Sequence, residues 1–265
     1  RIGASHQGRG IWALAIGRHI DTAPGVRIDS AHHGDEPLTA TFVMDAARQI
    51  LSRAGNDERV DRWLDETTVW LVPVVNPDGL ALGTRKNARD NDRNGSINAA
   101  DGVDLNRNYP FRWGSLGEVG STSASTKRAY RGPRPGSEPE VAAMMQLADD
   151  QVFAAAISYH YGSVAWLVPY TIDHVRSPEP RVAWEVAKGV TKNMPLHHHA
   201  HRAGLFPVRR NLYAVDGTSQ DWLFKHHGTL AYIVEGGLRG PVDNERVAKM
   251  MRQTWMRLLD RVVAG

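Results

Sequence analysis

Val26-Arg27-Ile28-Asp29-Ser30-Ala31-His32-His33-Gly34-Asp35-Glu36-Pro37 is the stretch from which the fold can be read. Residues 26–31 read as a short strand that stops at His32-His33-Gly34. Pro37 then stands where a helix can begin, because its missing N–H costs nothing in a first turn. Helical periodicity continues to about Arg53. A strand passing into a helix across a polar corner is the repeating unit of α/β folds. The same alternation recurs along the chain. Residues 11–17 read as a strand, and 67–75 are β-branched and apolar, as in a strand buried on both faces. Further strands are expected at 152–158, running into His160, at 164–169, and at 229–234, ending at Glu235. Helices are expected at 137–150, with Ser137 and Glu140 as a capping box, near 180–193 and 218–226, and at 242–263. Asn76-Pro77-Asp78-Gly79 reads as a turn. The expectation is an α/β fold: a single domain over residues 1–265, with a mixed, mostly buried sheet and helices on both faces.

Composition narrows the function. With 42% hydrophobic and 23% charged residues the chain is globular rather than disordered. A net charge of +3, with no basic stripe carrying aromatics, gives no reason to expect a nucleic-acid partner. The absence of cysteine excludes a thiol nucleophile, a thiolate metal site and disulfides. No apolar run approaches the roughly 18 residues that span a bilayer, so no membrane partner is expected. The chain starts at Arg1 without a visible signal peptide and reads as trimmed. The absence of cysteine leaves the compartment open, fitting the cytosol and a disulfide-free bacterial exoenzyme alike; a monomer, secreted or periplasmic, is the expectation carried forward.

His33, His160 and Glu235 all lie at the ends of apolar strands, where open α/β sheets place their sites. His33 and Glu36 form His-x-x-Glu, a spacing that lets both side chains meet one ion at a strand-to-helix corner. Zinc accepts neutral imidazole and carboxylate, and catalytic sites use three protein ligands and leave a position open. His160 is the candidate for the third; His32 adjoins His33 but lacks the spacing to Glu36. A long polar region, 81–136, is of the length that usually carries function. Within it, residues 90–101 follow a calcium-loop pattern. Candidate oxygen ligands are Asp90, Asp92, Asn94, Ser96, Asn98 and Asp101, with Gly95 at the sharp turn. Flanking helices are not predicted, so this would be a calcium loop outside an EF-hand. His197-His198-His199-Ala200-His201 reads as an exposed polar loop, and His226-His227 as an ordinary helix C-terminus.

Taken in order, these motifs resemble the zinc metallocarboxypeptidases, the family of carboxypeptidases A, B and T, and its bacterial T-like branch above all. Ile2-Gly3-x-Ser5-x-x-Gly8-Arg9 is similar to the family's opening, and His33-x-x-Glu36 to its first zinc motif. Asn76-Pro77-Asp78-Gly79 and Asp104-Leu105-Asn106-Arg107-Asn108-Tyr109 resemble its turn and its carboxylate-binding motif. Tyr130-Arg131-Gly132-Pro133 with Ser137-Glu138-Pro139-Glu140, then His160 with Pro169-Tyr170, follow in the family's order. Tyr213 with Asp221-Trp222, and finally Glu235, complete it.

The resemblance implies a zinc-dependent exopeptidase that removes C-terminal residues from a peptide substrate. It implies zinc on His33, Glu36 and His160, Glu235 as general base, and an oxyanion-stabilising arginine in Arg85-Lys86-Asn87-Ala88-Arg89. That stretch is one residue longer than the family's; Arg89 is favoured and Arg85 stays in play. The resemblance further implies Asn106 and Arg107 on the terminal carboxylate, Tyr213 closing over the terminal residue, and Gln220 at the pocket base. Asp216, close by in sequence, is a candidate to draw basic side chains, and a broad preference is expected. Two rivals are a murein-peptide amidase cutting γ-glutamyl–diaminopimelate bonds, suggested by His33-Gly34-Asp35-Glu36-Pro37, and a deacylase of N-acyl amino acids. A third, of another class, is a non-catalytic module binding through the calcium loop.

Overall fold

The apolar runs become the centre of a sheet, and the helices between them cover its two faces. The computed structural model describes residues 1–172, 175, 180–195, 205–237 and 244–264; the histidine run 197–201 lies outside them. In chain order the elements are β1 (Gly3–Ala4), β2 (Gly10–Ile11), β3 (Leu14–Ile16), β4 (Gly25–Ser30), α1 (Leu38–Arg53), α2 (Glu58–Glu66), β5 (Thr68–Val72) and α3 (Pro77–Leu82). A 3-10 turn at Leu105–Arg107 follows, then α4 (Pro139–Asp150), β6 (Phe153–His160), β7 (Ser163–Leu167), α5 (Arg181–Thr191), β8 (Val208–Arg209), α6 (Ser219–His227), β9 (Leu230–Gly237) and α7 (Asn244–Val263).

Among the described residues seven strands form one sheet in the order β3-β5-β4-β6-β9-β7-β8. β5, β4, β6 and β9 are mutually parallel; β3 and β7 run antiparallel to their neighbours β5 and β9. Phe42, Ile50, Trp63, Tyr159, Val234 and Trp255 belong to a core that joins α1, α2, α5 and α7 to one face. Val141, Met144, Leu147, Trp222 and Leu223 pack α4 and α6 on the other. The mixed α/β architecture agrees with the sequence reading. No described helix is long and apolar enough to cross a membrane.

Local differences have local causes. The expected strand 11–17 is divided because its ends pair with different partners, Ile11 with Gly3 and Leu14–Ile16 with β5. The Asn76 turn continues into α3: Asn76 Oδ1 accepts from Gly79 N at 2.8 Å, and Pro77 opens the helix. α2 was not anticipated; Asp57 caps it, and Val60, Trp63 and Leu64 are its buried stripe. The Ser137 capping box does not form. α4 starts at Pro139 with Glu138 at the cap, Ser137 Oγ donates to Glu138 at 2.6 Å, and the Glu140 carboxylate accepts from Asn87.

β4 diverges in sequence first to β5 and then, across its other edge, to β6. This is the reversal point where α/β sheets leave a crevice. The chain leaves β4 through Ala31, whose φ of 53° lies in the left-handed region. Gly34 then passes so close to α3 that a Cβ there would sit 1.9 Å from the Gly79 carbonyl carbon and 2.2 Å from Leu80 N. Both neighbours are backbone, so neither can rotate aside. Gly34→Ala is expected to lower the unfolding free energy by about 2–3 kcal/mol, read as a reduced urea midpoint at unchanged slope. A midpoint equal to the parent's would show that the corner tolerates a side chain.

Candidate active site

His33 leaves the corner after β4, and Glu36 follows one turn later. The turn is closed by Glu36 N donating to His33 O at 3.2 Å, which turns both side chains to one side. His160 ends β6, the strand next to β4, and enters the same crevice. His33 Nδ1 lies 2.9 Å from Glu36 Oε1 and 3.1 Å from His160 Nδ1. His160 Nδ1 is 3.4 Å from Glu36 Oε2. All three residues are buried, and their donor atoms lie within 4.8 Å of one another.

This donor set fits a divalent cation. Asp104 Oδ1 already engages the far nitrogen of His33, Nε2, at 3.2 Å. A carboxylate behind an imidazole fixes the tautomer that leaves the near nitrogen unprotonated and facing the metal. Burial alone would raise the Glu36 carboxyl, but His33 and His160 hold it below the usual carboxylate range, so it stays ionised. Two imidazole nitrogens and a carboxylate facing one point are donors of the kind that a divalent cation accepts. His32 does not compete. Its nitrogens face Ser158 Oγ at 3.2 Å and Tyr109 Oη at 3.0 Å, and its ring stacks on His160. Burial, then the neighbouring His160 and His33, lowers its pKa far enough to keep it neutral.

Glu235 is the register partner of His160 on β9, so the two side chains leave the sheet on the same face. Burial raises its carboxyl above the ordinary range; His160 opposes the shift and Glu36 adds to it. Both line a cavity of about 410 Å³ together with His33, Glu36, Arg85, Asn106, Arg107, Tyr213 and Gln220.

The two candidate arginines lie in different surroundings. Arg85 lines the cavity, donates through Nε to Asp104 Oδ2 at 2.8 Å and brings Nη1 to 3.1 Å from His33 Nδ1. Burial would lower its pKa, yet Asp104 and Glu36 raise it. Arg89, the favoured candidate, turns away: Nη1 donates to buried Glu138 at 3.2 Å, in a cluster with His6, Asn87 and Glu140. The reason is backbone direction, since Gly102 N donates to Arg89 O and ties that residue to the base of the polar loop.

Asn106 and Arg107 sit on the 3-10 turn, buried, with Arg107 Nη2 donating to Tyr213 Oη at 3.2 Å. Tyr213 itself is 58% exposed. Gln220, on α6, forms part of the cavity floor with Thr171, Thr218, Leu167 and Ile233. Its Nε2 donates to Thr171 Oγ1 at 3.2 Å, and its Oε1 has no hydrogen-bond partner among the described residues. Asp216 departs from expectation. It does not line the cavity but accepts from Leu116 N and Ser121 Oγ, stitching a distant loop. In the polar loop, Asp90, Asp92 and Asp101 bring carboxylate oxygens within 4.8 Å of one another. Asn94 and Asn98 instead accept from Ser96 and Ala100, and Ser96 Oγ is spent on Asn94. Sequence reading missed Asp104 as the support of His33, although it opens the Asp104-Leu105-Asn106-Arg107 motif, and it gave no sign of Arg128 on the cavity rim.

The family model described as "Zinc carboxypeptidase" matches residues 1–257. The chain is 29% identical over 230 residues to metallocarboxypeptidase A of Trichophyton tonsurans, covering 83% of this chain and 53% of that one. It is 26% identical over 228 residues to carboxypeptidase B of Rattus norvegicus, covering 84% and 54%. It thus spans about half the length of the curated relatives it matches. In fold it is similar to bovine thrombin-activatable fibrinolysis inhibitor, solved with a tick carboxypeptidase inhibitor, at a TM-score of 0.82 and 23% identity over 99% and 89% of the two chains. Murein-tripeptide amidase from Escherichia coli O157 superposes less closely, at 0.56 and 22% identity over 97% and 90%. By its family match, this chain belongs to the zinc carboxypeptidases.

Proposed function

We propose that residues 1–265 act as one catalytic domain, a zinc-dependent carboxypeptidase hydrolysing the C-terminal peptide bond of peptides. The observation that carries this reading is the meeting of His33, Glu36 and His160 in one cavity with Glu235 and Arg107. Zinc, when held by those three residues, supplies Lewis acidity toward a carbonyl and acidifies water. Glu235 takes the proton from the attacking water and returns it to the departing amine nitrogen; its raised pKa suits both transfers. Arg85 directs its guanidinium at the carbonyl oxygen as negative charge develops there. Arg107, with its planar fork, and Asn106 hold the terminal carboxylate, and Tyr213 closes over the terminal residue. The floor of Gln220, Thr171 and Thr218 beside Leu167 and Ile233 mixes polar and apolar groups, which supports a broad terminal preference. The amidase reading differs in the bond cut, and the presence of Glu235 and all three donors weighs against a non-catalytic module.

A second element of the proposal is calcium in the loop 90–101. It is supported by the sequence pattern and by the convergence of Asp90, Asp92 and Asp101. Asn91 Nδ2 donates to Gly102 O, so an ion there would stiffen the arm between Arg85 and Arg107. Weak, millimolar calcium binding would suit a secreted or periplasmic setting.

Glu235→Gln should lower kcat on a C-terminally varied peptide panel by about 10²–10⁴ while keeping bound zinc; parental turnover in this variant sinks the enzymatic reading. Arg85→Ala should cost roughly 10²–10³ in kcat, whereas Arg89→Ala should mainly lower the melting temperature; the reverse pattern would restore Arg89 to the site. With zinc buffered constant, millimolar calcium should raise the melting temperature by several degrees, and Asp90→Ala should remove the effect. An unchanged melting temperature in the parent removes calcium from the account.

A further inference from the structure

The cleft holds one more guanidinium than terminal carboxylate and scissile carbonyl require. Arg107 and Arg85 are assigned to those two groups, but Arg128 lines the same cavity. It also borders a second, adjoining cavity of about 300 Å³ whose walls include Arg85, Arg107 and Tyr213. Its side chain is 56% exposed, and Nη2 donates to Asp35 Oδ2 at 2.7 Å. Asp35 is the residue before Glu36 in the metal corner. That bond ties the half-exposed Arg128 to the corner that carries the donor set.

Among the described residues, Asp35 is the acid that pairs with Arg128. Glu118, the acid on the second cavity, is taken up by Thr122 Oγ1, Ser123 N and Ser123 Oγ and pairs with Arg131. Asp104 is held by Arg85 and His33. Asp35 occupies one nitrogen of Arg128, and a guanidinium carries five N–H donors in a planar fork that can engage a further carboxylate. Arg128 shares both cavities with Arg107 and Arg85, so a peptide anchored at Arg107 with its scissile bond beside Arg85 has this guanidinium within the same cleft.

We infer that Arg128, oriented by Asp35, forms a subsite for a second substrate carboxylate on the residue preceding the one released. The inference rests on the carboxypeptidase reading of the same cleft. The carboxylate has two sources, an acidic side chain at the penultimate position or the free α-carboxylate left by a γ-glutamyl linkage. Either favours acidic over neutral or basic substrates, an interaction made equally in ground and transition states, so it acts through KM.

The test compares four N-blocked substrates sharing one accepted C-terminal residue: penultimate Ala, Glu, Lys, and γ-linked Glu. The parent should cleave an acidic substrate with a kcat/KM roughly five- to tenfold above the Ala one, mostly in KM, and the preference should fade with salt. Preference for penultimate Glu identifies the side chain as the source; preference for the γ-linked substrate identifies the α-carboxylate. Arg128→Ala should bring the acidic-to-Ala ratio to about one, and Arg128→Glu should turn it toward Lys. An acidic preference that survives both substitutions, or a parent with none, overturns the inference while leaving the carboxypeptidase reading intact. Failure of the zinc-loaded parent to cleave any of the four overturns that reading, and the subsite with it.

Discussion

The site depends on two imidazole nitrogens and one carboxylate being brought into direct contact. His33 and His160 stand about 3 Å apart through their Nδ1 atoms, with Glu36 against both. Groups this close are held by a proton or a cation that they share. The fold imposes the contact: adjacent parallel strands β4 and β6 end side by side, and each delivers one histidine at its last turn. The Gly34 approach to α3 then fixes the corner that carries Glu36 back to the same point.

Around this centre lies a shell of buried charge whose members hold one another. Asp104 accepts from Arg85 and faces His33, which keeps the aspartate well below its usual range despite burial. The same aspartate accepts from Asn106 N, tying the 3-10 turn Leu105–Arg107 to the donor set. Behind His160, the neutral His32 spans Tyr109 and Ser158 and fills the space under the ring. Asn106, Arg85 and His33 therefore share one support in Asp104, so displacing one residue of the shell reaches the others.

Much of this was legible in the sequence because apolar strands announce their ends. Runs 26–31, 152–158 and 229–234 each stop at His or Glu, and these residues do meet in the fold. What was not legible lay where no periodicity constrains direction. Arg85 and Arg89 occupy an irregular segment, and only three-dimensional pairing with Asp104 or Glu138 separates them. Asp216 seemed close to the pocket through its nearness to Gln220 in sequence, yet its carboxylate is spent on a loop a hundred residues earlier. The short helix α2 hid its stripe among charged residues, and Arg128 sits on a turn-rich loop with no pattern to mark it.

The central claim is that one zinc ion sits where His33, Glu36 and His160 converge. Anomalous diffraction at the zinc edge, on crystals of the active protein, tests it most directly. The account expects a peak at about 2 Å from the Nδ1 atoms of both histidines and from a Glu36 oxygen, absent when His160 is replaced by Ala. A catalytically competent crystal with no peak there, or with its peak elsewhere in the molecule, contradicts it.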